Sequence, residues 1–189
     1  MHQKFDPSNK AVLISSARHE SLDSFRIMSL IPILDYHVVA DIGCGPGFFT
    51  VPLGKQLYNG NVIALDIEQE MLDAARDEVK RSRLGNVEFR LSQESVLPLD
   101  DNSLDGALAA FVFQEAEDRE ELLGEIRRAV KKGGWVAILE WHKHETEIGP
   151  PVDQRIEQAE MIRLAEQAGF KVAARHKLND DQYMLALQG

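Results

Sequence analysis

The chain has 189 residues, 44% of them hydrophobic, and its 31 acidic side chains outnumber 21 basic ones, which gives a formal net charge of −10. This length suits one domain with a buried core, and the absence of a concentrated basic run disfavours nucleic acid held through phosphate contacts alone. The single cysteine, Cys44, excludes an internal disulfide and a multi-cysteine metal site. With no apolar run of the roughly 20 residues that a membrane span needs, and no signal-peptide pattern, we expect one cytoplasmic domain over residues 1–189.

The first 34 residues predict an arm and a covering helix. Residues 1 to about 20 lack a clear apolar period, whereas apolar residues recur at helical spacing from Leu22 to Leu34, where Pro32 should end or kink the helix. We expect residues 1–34 to cover a core formed by residues 35–189.

A short apolar strand beginning at Val38 leads into a loop with three glycines. The strand ends near Asp41, and Gly43, Gly45 and Gly47 follow at a spacing of two before a helix predicted over residues 48–58. Glycines allow close approach of the backbone to a ligand, and the start of a helix presents free amide groups. The pattern therefore predicts a ligand site at this loop.

Strands and helices alternate through the middle of the chain. Further strands are predicted at 62–66, 87–91, 104–113 and 135–139, and helices at 69–83, 118–130 and 153–169. The alternation predicts a mostly parallel sheet with helices on both faces. Two last strands, near 172–175 and 183–187, are joined by too short a turn for a parallel crossover, so we expect them to be antiparallel.

Three helix ends carry recognisable signals. Asp118 with Glu121 forms a capping box, and Asp153 can cap the last helix. Two lysines at 131–132 complement the helix dipole at the C-terminal end of the helix that begins at Asp118. Two glycines at 133–134 end that helix.

The glycine loop admits two classes of cofactor. A dinucleotide fingerprint needs a further glycine where this chain has Phe48, and it would bring a pyrophosphate close to Asp41. Two carboxylates fit a ligand with cationic and hydroxyl groups better. Asp66, at the end of the second strand, can accept hydrogen bonds from a ribose diol in either case. A nicotinamide dehydrogenase is therefore disfavoured but remains a rival.

Four motifs in order resemble those of the class I S-adenosylmethionine-dependent methyltransferases. They are the loop 41–47, Asp66, Leu97-Pro98 before 103–105, and 132–134, and together they cover roughly residues 36–141. The resemblance implies a three-layer, Rossmann-like, doubly wound α/β fold. Its mostly parallel seven-stranded sheet would have an antiparallel C-terminal strand, and its cofactor would be S-adenosylmethionine.

The resemblance also implies a cofactor site. Its glycines would approach the methionine end, Asp41 would hold the loop or the cofactor's amino group, Asp66 would bind the ribose, and two apolar residues would pack on the adenine. Where the family has an acid that accepts from the adenine amino group, this chain has Ser92-Gln93-Glu94, of which Gln93 can accept through its amide oxygen. The full candidate set is Asp41, Gly43, Cys44, Gly45, Gly47, Asp66, Ile67, Met71, Ser92, Gln93, Glu94 and Ala110.

Candidates for the acceptor side follow the fourth and fifth strands at their carboxyl ends. They are Gln114, Glu115, Trp141 and His142, together with His19 from the arm. If the acceptor loses a proton, His142, Glu115 or His19 could take it. His142 and His144 are spaced like a metal pair but lack a third ligand nearby, so we expect no metal.

These observations favour transfer of a methyl group from S-adenosylmethionine to a small-molecule acceptor. The alternative is a non-catalytic S-adenosylmethionine-binding or partner protein of the same fold. Nucleic-acid acceptors are disfavoured, because the chain after the fourth strand lacks the Asn/Asp-Pro-Pro-Tyr type of motif and the charge is acidic. A homodimer is compatible with the sequence.

Overall fold

The computed structural model describes residues 12–189, apart from the side chains of residues 16, 17 and 19. In that part of the chain, seven strands form one sheet and six α-helices cover it. The strands are β1 (Val38–Ile42), β2 (Asn61–Asp66), β3 (Val87–Leu91), β4 (Leu104–Ala110), β5 (Val130–Trp141), β6 (Lys171–Lys177) and β7 (Gln182–Gln188). The helices are α1 (Ser16–Ser21), α2 (Ser24–Ser29), α3 (Thr50–Gln56), α4 (Gln69–Arg81), α5 (Arg119–Ala129) and α6 (Gln158–Gln167).

The strand order is β3-β2-β1-β4-β5-β7-β6. The first five strands pair in parallel, and β7 lies antiparallel between β5 and β6. The predicted α/β fold, with its antiparallel C-terminal strand, is confirmed. Because the chain winds outwards from β1 in one direction and from β4 in the other, the topological switch point lies between these two strands. Ligands of open α/β sheets bind beyond the carboxyl ends of the strands at such a point.

Two hydrophobic layers share the sheet. Along β5, Val136 and Ile138 pack with α5 and α6 on one face, while Ala137 and Leu139 pack with α2 and α3 on the other. This alternation follows from the two-residue period of a strand, and it buries both faces of β5.

The N-terminal elements are shorter than the sequence predicts. Of the covering helix expected over residues 22–34, only the six residues of α2 are helical. Asp23 caps this helix by accepting a hydrogen bond from the Arg26 amide at 3.0 Å. The glycine loop turns through residues 43–49, so α3 begins at Thr50 instead of 48, and Pro52 lies within its first turn, where proline is tolerated. Of the arm predicted for residues 1–20, residues 1–11 lie outside the described part of the chain. Residues 12–14 form a 3₁₀ turn that leads to α1.

Three boundaries in the second half were also wrong, and the first is the end of β4, which lies at Ala110 and not at residue 113. The lysines at 131–132 belong to β5 and not to the end of α5, because the backbone is already extended at Val130 and pairs there with Leu104 of β4. That strand therefore starts at Val130, before the glycines expected to separate it from the helix. Asp153 does not cap α6, since Glu157 holds the N-cap position. The Asp118 cap is confirmed, with its carboxylate accepting from the Glu121 amide at 2.9 Å.

The division into an arm and a single core domain stays a prediction. Among the described residues, none of the helices is both long and apolar enough to cross a membrane.

Candidate functional site

The glycine loop folds tightly after β1. All three of its glycines have positive φ, and Gly47 has the largest value, 96°. A Cβ atom on Gly47 would lie 3.3 Å from Cα of Ala75 in α4, so a side chain would meet backbone as well as adopt a strained conformation. Glycine at this position lets the loop pack directly against α4.

Asp66 fastens this loop to the end of β2. Its Oδ2 accepts a hydrogen bond from the Gly45 amide at 2.8 Å, and Oδ1 accepts from the Glu68 amide at 3.0 Å. The Cys44 amide donates to the carbonyl of Leu65 at 2.8 Å. Burial raises the pKa of Asp66, and the two amide bonds oppose that shift. Asp66 therefore has a structural role at the loop, and its contact with a ribose stays a prediction.

Asp41 is buried beneath the loop, with 1% of its surface exposed. Its carboxylate accepts a hydrogen bond from the Thr50 hydroxyl at 2.6 Å, which ties β1 to the first residue of α3. Burial raises the pKa of Asp41 to about 7, the Thr50 bond lowers it, and the charge of Asp66 raises it further. These contacts support the expectation that Asp41 holds the loop.

The other cofactor candidates from the first half of the chain lie close to these two acids. Met71 is buried at the start of α4 and Ile67 is half-buried. Cys44 packs against Leu72 and Ala75, and burial raises the pKa of its thiol well above the ordinary value, which makes it an unreactive filler.

The segment Ser92-Gln93-Glu94 begins beside Asp66. The Ser92 amide donates to the carbonyl of Asp66 at 2.9 Å, and Gln93 forms an isolated bridge with Val96. The Glu94 carboxylate accepts from the amide of Glu117. The predicted contact of Gln93 with an adenine stays a prediction.

The loop after β4 meets the glycine loop. Phe111, directly after Ala110, has a positive φ of 64°, and its amide donates to the carbonyl of Leu139 at 2.8 Å. Val112 follows, and its Cγ2 lies 2.6 Å from the position that a Cβ on Gly43 would occupy. The loops after the two strands of the switch point are therefore in contact.

Glu140 anchors the same loop from beneath. Its Oε1 accepts a hydrogen bond from the Phe113 amide at 2.8 Å, and the carboxylate also accepts from the backbone of Gln114. Within the described residues, Oε2 of Glu140 and Oε1 of Gln114 are buried without a hydrogen-bond partner. Burial raises the pKa of Glu140 to about 8, so it holds its proton at neutral pH.

The acceptor-side candidates separate into two groups. The centroid of the Trp141 ring lies 5.9 Å from that of the Phe111 ring, which follows β4. His142 contacts Tyr183 at 5.0 Å and His144 at 5.9 Å between ring centroids instead. Burial lowers the pKa of His142, so its ring is neutral at pH 7 and able to accept a proton.

The remaining candidates give less information. Gln114 is buried and Glu115 is half-buried, while the side chain of His19 lies outside the described residues. Among the side chains that are described, no group of three His, Cys, Asp or Glu is arranged to hold a metal ion.

One buried arginine organises the loop between β5 and α6. The Arg155 guanidinium donates to the carbonyls of His142, His144, Ile148 and Pro150 and to the Thr146 hydroxyl, at 2.6–3.4 Å. It also lies 5.1 Å above the Trp141 ring. This arginine therefore fixes the segment that follows the acceptor-side residues.

Four residues of the site were missed by the sequence analysis, namely Arg18, Thr50, Glu140 and Arg155. A charged residue at the end of an apolar strand was a usable signal for Glu140. The other three carry no local pattern that separates them from surface residues.

The residues present fit the cofactor that the motifs imply. The loop offers bare backbone at its three glycines, and two carboxyl groups lie at its base. The Nε atom of Arg18 is buried beside it without a hydrogen-bond partner among the described residues. Hydroxyl and cationic groups of a ligand suit the acids, and an anionic group suits the arginine.

Comparisons with known proteins agree with this geometry. The model of the methyltransferase domain family matches residues 40–138. A demethylmenaquinone methyltransferase of Alkalihalophilus pseudofirmus is 31% identical over 143 residues, which are 74% of this chain and 58% of that protein. The chain spans about half the length of the curated relatives it matches.

The solved structures extend the match over the whole fold. A crystal structure of a SAM-dependent methyltransferase from Aquifex aeolicus has a TM-score of 0.93 and 31% identity, and the match covers 98% of this chain and 99% of that one. The cyclase SpnF, at 16% identity with a TM-score of 0.76 over 87% of this chain and 80% of its own, shares the fold alone. From the family match and the Aquifex structure together, the chain belongs to the methyltransferase domain family of S-adenosylmethionine-dependent enzymes.

Proposed function

We propose that the protein transfers a methyl group from S-adenosylmethionine to a small-molecule acceptor. The observation that carries this proposal is the glycine loop at the switch point, fastened to the end of β2 by Asp66 and supported beneath by Asp41. Family membership and the match to the Aquifex aeolicus enzyme support the same reaction.

The bound cofactor supplies a methyl carbon that its sulfonium already makes electrophilic. The tasks left to the protein are to align the acceptor with that carbon and to exclude water. The glycine loop and Asp66 would hold the cofactor, with Ile67 and Met71 on its adenine and Ser92, Gln93 and Glu94 near the adenine's edge. Phe111 and Trp141 would form an apolar wall on the acceptor side, since their rings contact each other.

A proton acceptor is available if the acceptor molecule needs one. His142 is neutral at pH 7 and follows β5 at its carboxyl end. Its ring lies against that of Tyr183, with 5.0 Å between the centroids. Replacing His142 by alanine and finding unchanged methyl transfer would remove it from this role.

Quinol-type compounds are the first acceptors to test, because several relatives are named as menaquinone or ubiquinone C-methyltransferases. A cytoplasmic location and a homodimer stay predictions from the sequence. Nucleic-acid acceptors stay disfavoured because of the acidic charge.

The test has a binding arm and a transfer arm. S-adenosylhomocysteine should stabilise the protein by about 2.7 kcal/mol at 100 times its dissociation constant, and NADH should have no effect. Methyl-labelled S-adenosylmethionine should then transfer label to one member of a panel of quinols and other small acceptors. Stabilisation by NADH but not by S-adenosylhomocysteine would contradict the proposal. Binding without transfer to any acceptor would favour the non-catalytic alternative.

A further inference from the structure

Arg18 of α1 lies against both loops of the switch point. Its guanidinium carbon is 5.1 Å from the centroid of the Phe48 ring and 5.2 Å from that of Phe111. Phe48 directly follows Gly47, and Phe111 directly follows β4. The arm therefore places a cation where the loops after β1 and β4 meet.

This cation has no anionic partner in the described residues. Its Nε is buried without a hydrogen bond, and its contacts are the two aromatic rings. Burial lowers the pKa of Arg18 to about 10, and it remains charged at neutral pH. The rings compensate only part of the cost of removing a guanidinium from water. An anionic group on a ligand would offset the remaining cost.

The two acids at the base of the glycine loop already accept hydrogen bonds from other groups of the protein. Asp41 accepts from Thr50, and Asp66 accepts from two backbone amides. At neutral pH S-adenosylmethionine carries one anionic group, the carboxylate of its methionine moiety, beside its cationic and hydroxyl groups. Its carboxylate would be repelled by the two acids and attracted by Arg18, whose planar fork matches a carboxylate in two hydrogen bonds.

The arm that carries Arg18 also touches the glycine loop. Cδ1 of Leu13 is 3.8 Å from the position of a Cβ on Gly45. At the other end of α1, the Asn179 side chain donates to the carbonyl of Ser21 at 3.0 Å, and Leu22 is buried. The chain after Arg18 is therefore held to the core at Ser21 and Leu22, and the chain before Arg18 lies against the glycine loop.

We propose that Arg18 binds the carboxylate of the cofactor's methionine moiety, and that this contact docks residues 12–21 over the glycine loop. The inference rests on the proposed function, because it takes S-adenosylmethionine as the ligand. It assigns the arm a part in cofactor binding, and it predicts that the arm is held more tightly once the cofactor is present.

The test compares two ligands that differ in the amino-acid portion. Isothermal titration should show that Arg18→Met weakens binding of S-adenosylhomocysteine about 10- to 100-fold, the range for a lost hydrogen bond to a charged group. Binding of 5′-methylthioadenosine, which lacks the carboxylate, should stay within about twofold. Arg26→Met, at an exposed arginine in α2, is the matched control and should bind both ligands like the wild type. Arg18→Lys should recover part of the loss.

Hydrogen exchange gives a second readout that does not depend on catalysis. S-adenosylhomocysteine should slow exchange at residues 12–21 in the wild type but not in Arg18→Met, and methylthioadenosine should leave these amides unchanged. Equal affinity of wild type and Arg18→Met for S-adenosylhomocysteine would overturn the inference while leaving the proposed function intact. An equal loss for both ligands would overturn it too, since a general structural effect would then explain the variant. If the wild type itself fails to bind S-adenosylhomocysteine, the proposed function fails as well.

Discussion

At the scale of single residues, Glu140 is a carboxyl group enclosed by protein on all sides. It stabilises the loop after β4 by accepting from the Phe113 amide, yet its second oxygen has no partner in the described part of the chain. A proton on that oxygen converts an unpaired acceptor into a donor. The raised pKa of about 8 reflects how costly the ionised form is in this environment.

Glu140 should therefore make the protein less stable as the pH rises. Its folded pKa is about 8 against an ordinary 4.5, so between these values the folded state holds more protons than the unfolded state. The unfolding free energy then falls with pH, by up to about 1.4 kcal/mol per unit between pH 5 and 7. Glu140→Gln should flatten this slope in urea unfolding measured across that range.

The exposed Glu166 on α6 offers a control, because Glu166→Gln should follow the wild-type curve. Equal slopes for Glu140→Gln and the wild type would contradict the assignment. Asp41, with a pKa raised to about 7, contributes in the same direction and is present in all three proteins.

Gly47 is the glycine of the loop at which an added Cβ would meet backbone atoms of another element. Gly47→Ala adds a Cβ that meets the backbone of Ala75 and forces alanine into a left-handed conformation. We expect a loss of about 1 to 3 kcal/mol in unfolding free energy, together with weaker binding of S-adenosylhomocysteine by calorimetry. Gly85→Ala, where a Cβ has open space, should change neither quantity. Normal stability and binding in Gly47→Ala would show that the loop does not need its close approach to α4.

At the scale of elements, the segment between β5 and α6 has no regular structure of its own. It is ordered by Arg155, whose guanidinium reaches four carbonyls and one hydroxyl of residues 142–150. Burial lowers the pKa of Arg155, and no carboxylate is among those hydrogen-bond partners. One side chain thus sets the conformation of the loop beside Trp141.

Arg155→Met should release this loop while leaving the sheet intact. We expect faster hydrogen exchange at residues 142–150, a loss of about 2 to 4 kcal/mol in stability, and slower methyl transfer once an acceptor is known. Arg163→Met on α6 removes only exposed contacts with Glu160 and Gln167, so it should cost less than about 1 kcal/mol and leave the loop unchanged. Unchanged exchange in Arg155→Met would mean that other contacts hold the loop.

At the scale of the whole molecule, the two hydrophobic layers cannot separate because they share strands. In β7, Met184 packs into one layer and its neighbour Leu185 into the other. This strand is hydrogen-bonded to β5 on one side and β6 on the other. Loss of β7 would expose both layers at once.

We therefore predict one cooperative unfolding transition, as expected for a single domain. Far-ultraviolet circular dichroism, which reports the helices, and the fluorescence of Trp135 and Trp141 should give the same midpoint in urea. Leu185→Ala should lower both midpoints together, with a cost of about 2 to 5 kcal/mol for the cavity. Separate midpoints for the two signals would contradict the single-domain prediction.

The α/β fold class, the antiparallel last pair of strands and the position of the glycine loop could all be predicted from the sequence. They follow from apolar periodicity, glycine spacing and acids at strand ends, each of which is a local pattern, and from the order of those patterns along the chain. Boundaries such as the start of β5 were missed because Val130 pairs with Leu104 of another strand, which no local pattern indicates.

The surroundings of the glycine loop could not be predicted from the sequence. Glu140 meets the Phe113 amide and Arg18 meets Phe48 and Phe111 through contacts between segments distant in the chain, and Arg155 folds back onto the carbonyls of the loop before it. No local period encodes such contacts, because each depends on which loops the strand order brings to the same edge of the sheet. Within the described residues, the Arg18 Nε is buried without a hydrogen-bond partner only because α1 brings this side chain against the rings of Phe48 and Phe111.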